Sequence, residues 1–194
     1  MLQSITLTPK QYLELEDQSD KRHEYRNGER VVMTGGTTNH NRLIVALCPY
    51  LNLALMDQDA EVFSGDVKVW IPAYQLFTYP DLMMVQGEPQ YYRDRPEHER
   101  QDTIENPSVV VEVLSKSTRQ YDQSDKFDAY RTLDSLNEYI LIDQYSFWVK
   151  QFTKNSQGQW LLTEFIGEDA VLKLQTIDFE LAFKDLYKRV KFDS

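Results

Sequence analysis

Pro107-Ser108-Val109-Val110-Val111-Glu112-Val113-Leu114 is a β-branched run of the kind that fills a central strand covered on both faces. Glu112 sits near its end, where an isolated carboxylate is costly to bury, so the position calls for a partner. Downstream, the residues from Arg119 to Leu133 read as a helix and Glu138 to Asp143 as a further strand. That spacing suffices for a right-handed crossover, which would lay the two strands side by side and parallel.

Upstream, Tyr79 to Val85 reads as a strand with Asp81 directly after Pro80, and Glu61 to Ile71 as another. Leu43, Ile44, Leu47, Cys48, Leu51, Ala54 and Leu55 recur at helical spacing and define one apolar face, with Pro49 expected to kink it. Thr8-Pro9-Lys10-Gln11 has the form of a capped helix start, and Asn27-Gly28 that of a hairpin turn followed by a break at Thr34-Gly35-Gly36. Arg93 to Arg100 reads as a charged loop. Phe147 to Thr153, Trp160 to Phe165 and Val171 to Leu174 continue as a meander, and Phe183 to Val190 as a closing helix. The expectation is an α/β (α+β) fold, a mixed central β-sheet flanked by helices, in one domain over residues 1–194.

With a net charge of −10, the chain is a poor candidate for coating DNA nonspecifically, which usually requires a basic footprint. A nuclease is not excluded, because a carboxylate site adds negative charge that a bound metal offsets. Cys48 is the single cysteine, so an internal disulfide and a cysteine zinc cluster are ruled out. No apolar run approaches the roughly 20 residues that span a bilayer, and Met1 to Lys10 lacks the pattern of a secretory signal. A cytoplasmic protein without membrane contact is expected. His23, His40 and His98 show no paired-ligand spacing, Gly35-Gly36 is no phosphate loop, and Ser115 and Ser117 lack a nucleophile elbow.

Asp81 and Glu112 each lie where a strand meets a loop. If their strands are neighbours, the two carboxylates converge on one cation, and Mg²⁺ favours such a set of few carboxylate oxygens with retained waters. Lys126, on the helix after the Glu112 strand, can reach back to stabilise charge on a phosphorane-like transition state. Its plainer reading is an exposed helix pair with Asp122 at i, i+4. Glu24, before the Asn27-Gly28 turn, either completes the acidic cluster or is a solvated hairpin carboxylate.

Tyr79-Pro80-Asp81-Leu82, the 107–115 run with Ser117-Thr118, Asp125-Lys126 with Tyr130, and Glu138-Tyr139-Ile140-Leu141-Ile142-Asp143 together resemble the Uma-two family. These are bacterial proteins similar in fold to the PD-(D/E)XK restriction endonucleases, and the resemblance covers about Thr8 to Asp143. It implies Asp81 and Glu112 as metal-binding acids. The superfamily's lysine stands two residues after the second acid, where this chain has Leu114. The family pattern supplies one from the following helix, which Lys126 matches. Lys116 competes, at a position where the family commonly has proline. Asp66, in Gly65-Asp66-Val67-Lys68-Val69, and His40, at the start of the long helix, also match family positions, each with a structural reading beside the functional one. The implied activity is metal-dependent hydrolysis of DNA phosphodiester bonds with Mg²⁺ or Mn²⁺, and a basic rim of Arg93, Arg95, Arg119 and Arg131. The alternative is an inactive scaffold of the same fold acting through protein contacts or as a homodimer.

Overall fold

The computed structural model describes residues 6–192. Chain order gives α1 (Pro9–Glu16), β1 (His23–Arg26), β2 (Glu29–Val32), α2 (Thr38–Ala54), β3 (Ala60–Ser64), β4 (Lys68–Ile71), β5 (Leu76–Thr78), β6 (Leu82–Gln86), β7 (Tyr91–Arg95), β8 (His98–Ile104) and β9 (Val109–Leu114). There follow α3 (Arg119–Gln123), α4 (Asp125–Tyr130), β10 (Glu138–Asp143), β11 (Trp148–Lys154), β12 (Trp160–Ile166), β13 (Val171–Leu174), β14 (Phe179–Ala182) and α5 (Phe183–Leu186). Local chemistry sets the boundaries. Thr8 and Gln11 close a capping box on α1, with Thr8 N donating to Gln11 Oε1 at 2.9 Å. Asn27 and Gly28 both take positive φ, 45° and 97°, as the tight β1–β2 turn demands.

The strands form two six-stranded sheets and a two-stranded ribbon, β13–β14. One sheet runs β2-β1-β5-β4-β8-β7, the other β12-β11-β10-β9-β6-β3. Both are mixed: β9 pairs parallel with β10 (Glu138↔Val109) and antiparallel with β6 (Leu82↔Val111). The parallel β9–β10 pair is the crossover expected from sequence.

Strand β9 is buried throughout, and its alternation divides the core. Val109, Val111 and Val113 pack with Leu82, Met84, Ile140 and Ile142 beneath Leu43, Leu47, Leu51 and Leu55 of α2. Val110 and Leu114 face the other way, with Met83, Val85, Tyr139 and Leu141, against Phe127 and Tyr130 of α4 and Val69, Ile71 and Leu76 of the first sheet. The β9–β6 region is therefore sandwiched between α2 and the first sheet.

Five segments differ from the sequence expectation. Glu61 to Ile71 is two strands in different sheets, because the chain crosses between sheets around Gly65, whose φ is +84°. It crosses back at Tyr79-Pro80-Asp81, so the strand read from Tyr79 begins at Leu82 and Asp81, expected where a strand meets a loop, marks a sheet junction. Arg93 to Arg100 is not a loop. It belongs to the β7–β8 hairpin, whose register shifts and exposed charges hide the strand periodicity. The 119–133 helix is split at Ser124, with φ −126° and ψ −92°, and the closing helix stops at Leu186. Among the described residues no helix is long and apolar enough to cross a membrane.

Candidate functional site

The register Leu82↔Val111, continued by one residue, sets Asp81 opposite Glu112. Both share the parity of the face turned to α4 and the first sheet, so Glu112 stands where another valine would complete the core. Asp81 is held at the strand end by backbone: its Oδ2 accepts from Val113 N at 2.7 Å and lies 3.0 Å from His40 Nε2. His40 reaches it from the first turn of α2, which Thr37 caps by accepting from His40 N at 3.2 Å. Gly36 makes room for that ring, since a Cβ there would come within 2.7 Å of His40 Nδ1.

Beside the acid pair lies a buried lysine. Lys126 Nζ is 2.7 Å from Glu112 Oε1, 3.8 Å from Glu24 Oε1 and 3.8 Å from Asp122 Oδ1. Lys126 and the three acids are each only 3–4 % exposed. Glu112 Oε1 is buried and meets the Lys126 ammonium, with no backbone or amide donor to it among the described residues. The hydroxyl of Tyr130, one helical turn beyond Lys126, is buried without a partner.

These surroundings separate the titrations. Burial pushes the Glu112 carboxyl well above its usual range; Lys126 pulls it down, while Asp81 and Asp122 push it up. Asp122 is raised for the same first reason, burial, against the pull of Lys126. Glu24 also suffers desolvation, yet its carboxyl is lowered, because Lys126, Arg26 and the Thr78 hydroxyl outweigh that cost. Burial works against the Lys126 ammonium, but Glu112, Glu24 and Asp122 together raise it well above an ordinary lysine. The pocket thus holds one firmly charged cation and more carboxylate than that cation neutralises.

Asp122 is a member of this cluster that sequence reasoning assigned to an exposed pair. The Asp122–Lys126 spacing was visible, but spacing alone does not say which helix face is covered. Glu24 joins the cluster because β1 lies in the sheet folded over α4; it accepts from Arg26 Nε at 2.8 Å and from the Thr78 hydroxyl. Arg26 stacks over Tyr121 at 3.8 Å and leads out to solvent. Asp66 lies elsewhere, on an exposed turn 3.2 Å from Arg22. Lys116 is exposed, beside the Tyr145 ring. The four rim arginines lie near acids: Arg93 pairs with Glu99, Arg119 with Asp143 and Arg131 with Asp128, while Arg95 lies 3.9 Å from Asp94.

Residues 9–184 match the Uma2 family, described as "Putative restriction endonuclease". The chain belongs to the Uma2 family. Two relatives from Synechocystis sp. (strain ATCC 27184 / PCC 6803 / Kazusa) bear the names uncharacterized protein sll1609 and uncharacterized protein slr1290. The first is 38 % identical over 167 residues, covering 86 % of this chain and 92 % of the relative; the second is 33 % identical over 186 residues, covering 96 % and 94 %. A crystal structure from Anabaena variabilis ATCC 29413, described as "a putative nuclease belonging to DUF820", superposes with a TM-score of 0.74 at 17 % identity, over 94 % of this chain and 98 % of that one. The fold of this Uma2 chain is restriction-endonuclease-like.

Restriction-endonuclease-like nucleases generally use divalent metals, so the donor set has to be tested against one. Among the described residues no three His, Cys, Asp or Glu side chains are arranged as a ready cation cage. Asp81 and Glu112 nevertheless fit a hard cation that keeps most of its waters. Glu112 Oε1 lies against the Lys126 ammonium, which leaves its Oε2 with no donor among the described residues, and Asp81 likewise has only one oxygen engaged, Oδ1 having no donor among them. The site opens on that side, where the Asp81 side chain is 21 % exposed.

Proposed function

We propose that this Uma2 chain is a metal-dependent nuclease that hydrolyses DNA phosphodiester bonds, with Asp81 and Glu112 as ligands to Mg²⁺ or Mn²⁺. The observation that carries it is the buried Glu112 carboxylate opposite Asp81, which meets the Lys126 ammonium at 2.7 Å and no other donor among the described residues. A carboxylate kept in a hydrophobic strand without its hydrogen bonds costs stability, and a chemical role is the usual reason for such a cost. A bound divalent cation would polarise the phosphodiester and acidify an attacking water. The chain's own residues do the rest. Val113 N and His40 fix one oxygen of Asp81, leaving the other to point at the ligand. Lys126 sets positive charge next to the reacting region, where it opposes the charge that grows on the phosphoryl oxygens. Glu24 and Asp122 hold Lys126 charged and in place. Calorimetric titration of Mg²⁺ and Mn²⁺ into wild type and Glu112→Gln, with plasmid nicking under the same conditions, tests this. Binding and nicking that both vanish in the variant support it; an equally active variant overturns it.

A second reading, an inactive scaffold of the same fold, draws on Leu114 at the usual lysine position and on the paired rim arginines. It expects no cation binding at millimolar metal and no retention of DNA in a low-salt gel shift.

A further inference from the structure

Strand β12 is one of the four outer edges of the two six-stranded sheets, with β2, β7 and β3. Open edges invite pairing with other chains, and proteins usually blunt them with charge, bulges or brevity. Edge β7 carries Arg93, Asp94 and Arg95 and pairs irregularly with β8. Edge β2 has Glu29 and Arg30 within four residues, and β3 is five residues long with Glu61 in it. Strand β12 is the least blunted: Trp160-Leu161-Leu162-Thr163-Glu164-Phe165-Ile166 pairs with β11 without interruption over seven residues, with Glu164 its one charge.

Its side chains continue the core into solvent. Leu162 and Ile166 stand opposite Phe152 and Trp148, extending the layer in which Phe127 stacks on Phe152 at 4.1 Å and meets Trp160 at 5.3 Å. Yet Leu161 and Leu162 are each 54 % exposed, and Ile166 is 71 % exposed. Charge says what fits there. Residues 148–166 hold Lys150, Lys154 and Glu164, one net positive charge in a chain of net −10. Little of the chain's net negative charge therefore lies along this edge. Antiparallel pairing also sets the Lys154 end of one copy beside the Glu168 end of the other.

We infer that a second copy of this chain docks at β12 by antiparallel strand pairing about Thr163, joining the two β12-edged sheets into one of twelve strands. A two-fold axis requires an antiparallel, self-complementary contact. In this register Leu161 faces Phe165 of the second copy, Trp160 faces Ile166, and Leu162 faces Glu164. The contact is independent of the chemistry proposed at Glu112.

Sedimentation velocity on the full chain, over roughly a hundredfold range of concentration, tests it. Wild type is expected to dimerise reversibly. Leu161→Lys with Ile166→Lys, at exposed positions, should keep the circular dichroism and melting of wild type while weakening the dimer at least about tenfold. Leu162→Lys, which meets Glu164 of the second copy, should keep it. Thr163→Cys in a Cys48→Ser background should oxidise to a covalent dimer. A wild type monomeric throughout overturns the inference. So does a dimer indifferent to the Leu161 and Ile166 lysines, or one lost equally with Leu162→Lys.

Discussion

Glu112 and Glu138 are buried carboxylates on neighbouring strands of one sheet, 3 % and 0 % exposed, and they face opposite ways. Glu138 has its donors. Its Oε1 accepts from Gln175 N at 2.7 Å and Thr176 N at 2.5 Å, and its Oε2 from the Gln151 amide. It ties the end of β13 to the sheet. Glu112 has only an ammonium, at 2.7 Å from its Oε1 and shared with Glu24 and Asp122, and no backbone or amide donor among the described residues. A saturated acid holds structure together; an acid left short of donors is free to bind something else. Asp81 stands between them, one oxygen engaged and the other not.

That contrast breaks down if replacing Glu112 harms the fold more than the ligand. Glu112→Gln is expected to cost on the order of 10³-fold or more in nicking rate and to abolish measurable Mg²⁺ binding. Its thermal stability should stay within about 1 kcal/mol of wild type, since the amide keeps the shape and removes a charge that burial disfavours. Calorimetry and a melting curve on one preparation read both numbers.

Lys126→Met should have the next largest effect, on stability. It leaves Glu24, Glu112 and Asp122 buried without their cation, a loss of about 3–5 kcal/mol at pH 7. The pH dependence has a definite sign. Glu112 and Asp122 are raised by burial, and without Lys126 they rise further. Groups with raised folded values contribute stability at low pH that is lost as pH climbs through those values. The deficit of Lys126→Met is therefore widest near neutrality and narrows towards about pH 4, where the carboxyls take up protons in both states. Denaturant melts at several pH values would show it; a deficit that grows as pH falls would contradict the assigned charges.

Glu138→Ala probes the other half of the comparison. Two backbone N–H groups and the Gln151 amide lose their acceptor, at about 2–3 kcal/mol in total. Metal binding and nicking should be unchanged once the protein is folded. If nicking falls with Glu138→Ala at temperatures well below its melting point, the two carboxylates are not separable in the way proposed.

Much of this site was legible in the sequence because its backbone frame is local. A valine run interrupted by one glutamate, a crossover to Glu138–Asp143, and an acid after Pro80 point to the central strands locally, while the neighbouring of the Asp81 and Glu112 strands was only a condition that the β6–β9 register then met. Asp122 and Glu24 were not legible in the same way. Their burial depends on the first sheet folding over α4, and that sheet is built from segments whose signals are weak: the split at Gly65, the short β5, and a β7–β8 hairpin rich in arginine and acid. The acids beside the rim arginines were not legible for a related reason, since a count of cations ignores what the hairpin and strand ends bring next to them. Glu138 gave no sign of its role, because its donors come from residues 151, 175 and 176.

His40→Ala should give the smallest effect, and it sharpens the boundary between holding and binding. His40 touches Asp81 only through the oxygen that Val113 N already engages. Its removal leaves the ligand-facing oxygen present but less firmly aimed. Loss of such an outer partner weakens metal affinity by about 10–100-fold, and the lower end is expected here because the Val113 bond remains. His40→Gln, which can place an amide donor near the same oxygen, should recover part of that loss, while His40→Leu should not. If alanine abolished binding as completely as Glu112→Gln does, His40 would have to be counted among the ligands. If it changed nothing, the backbone bond alone would be sufficient to orient Asp81, and the close fit of the ring against Gly36 would be packing.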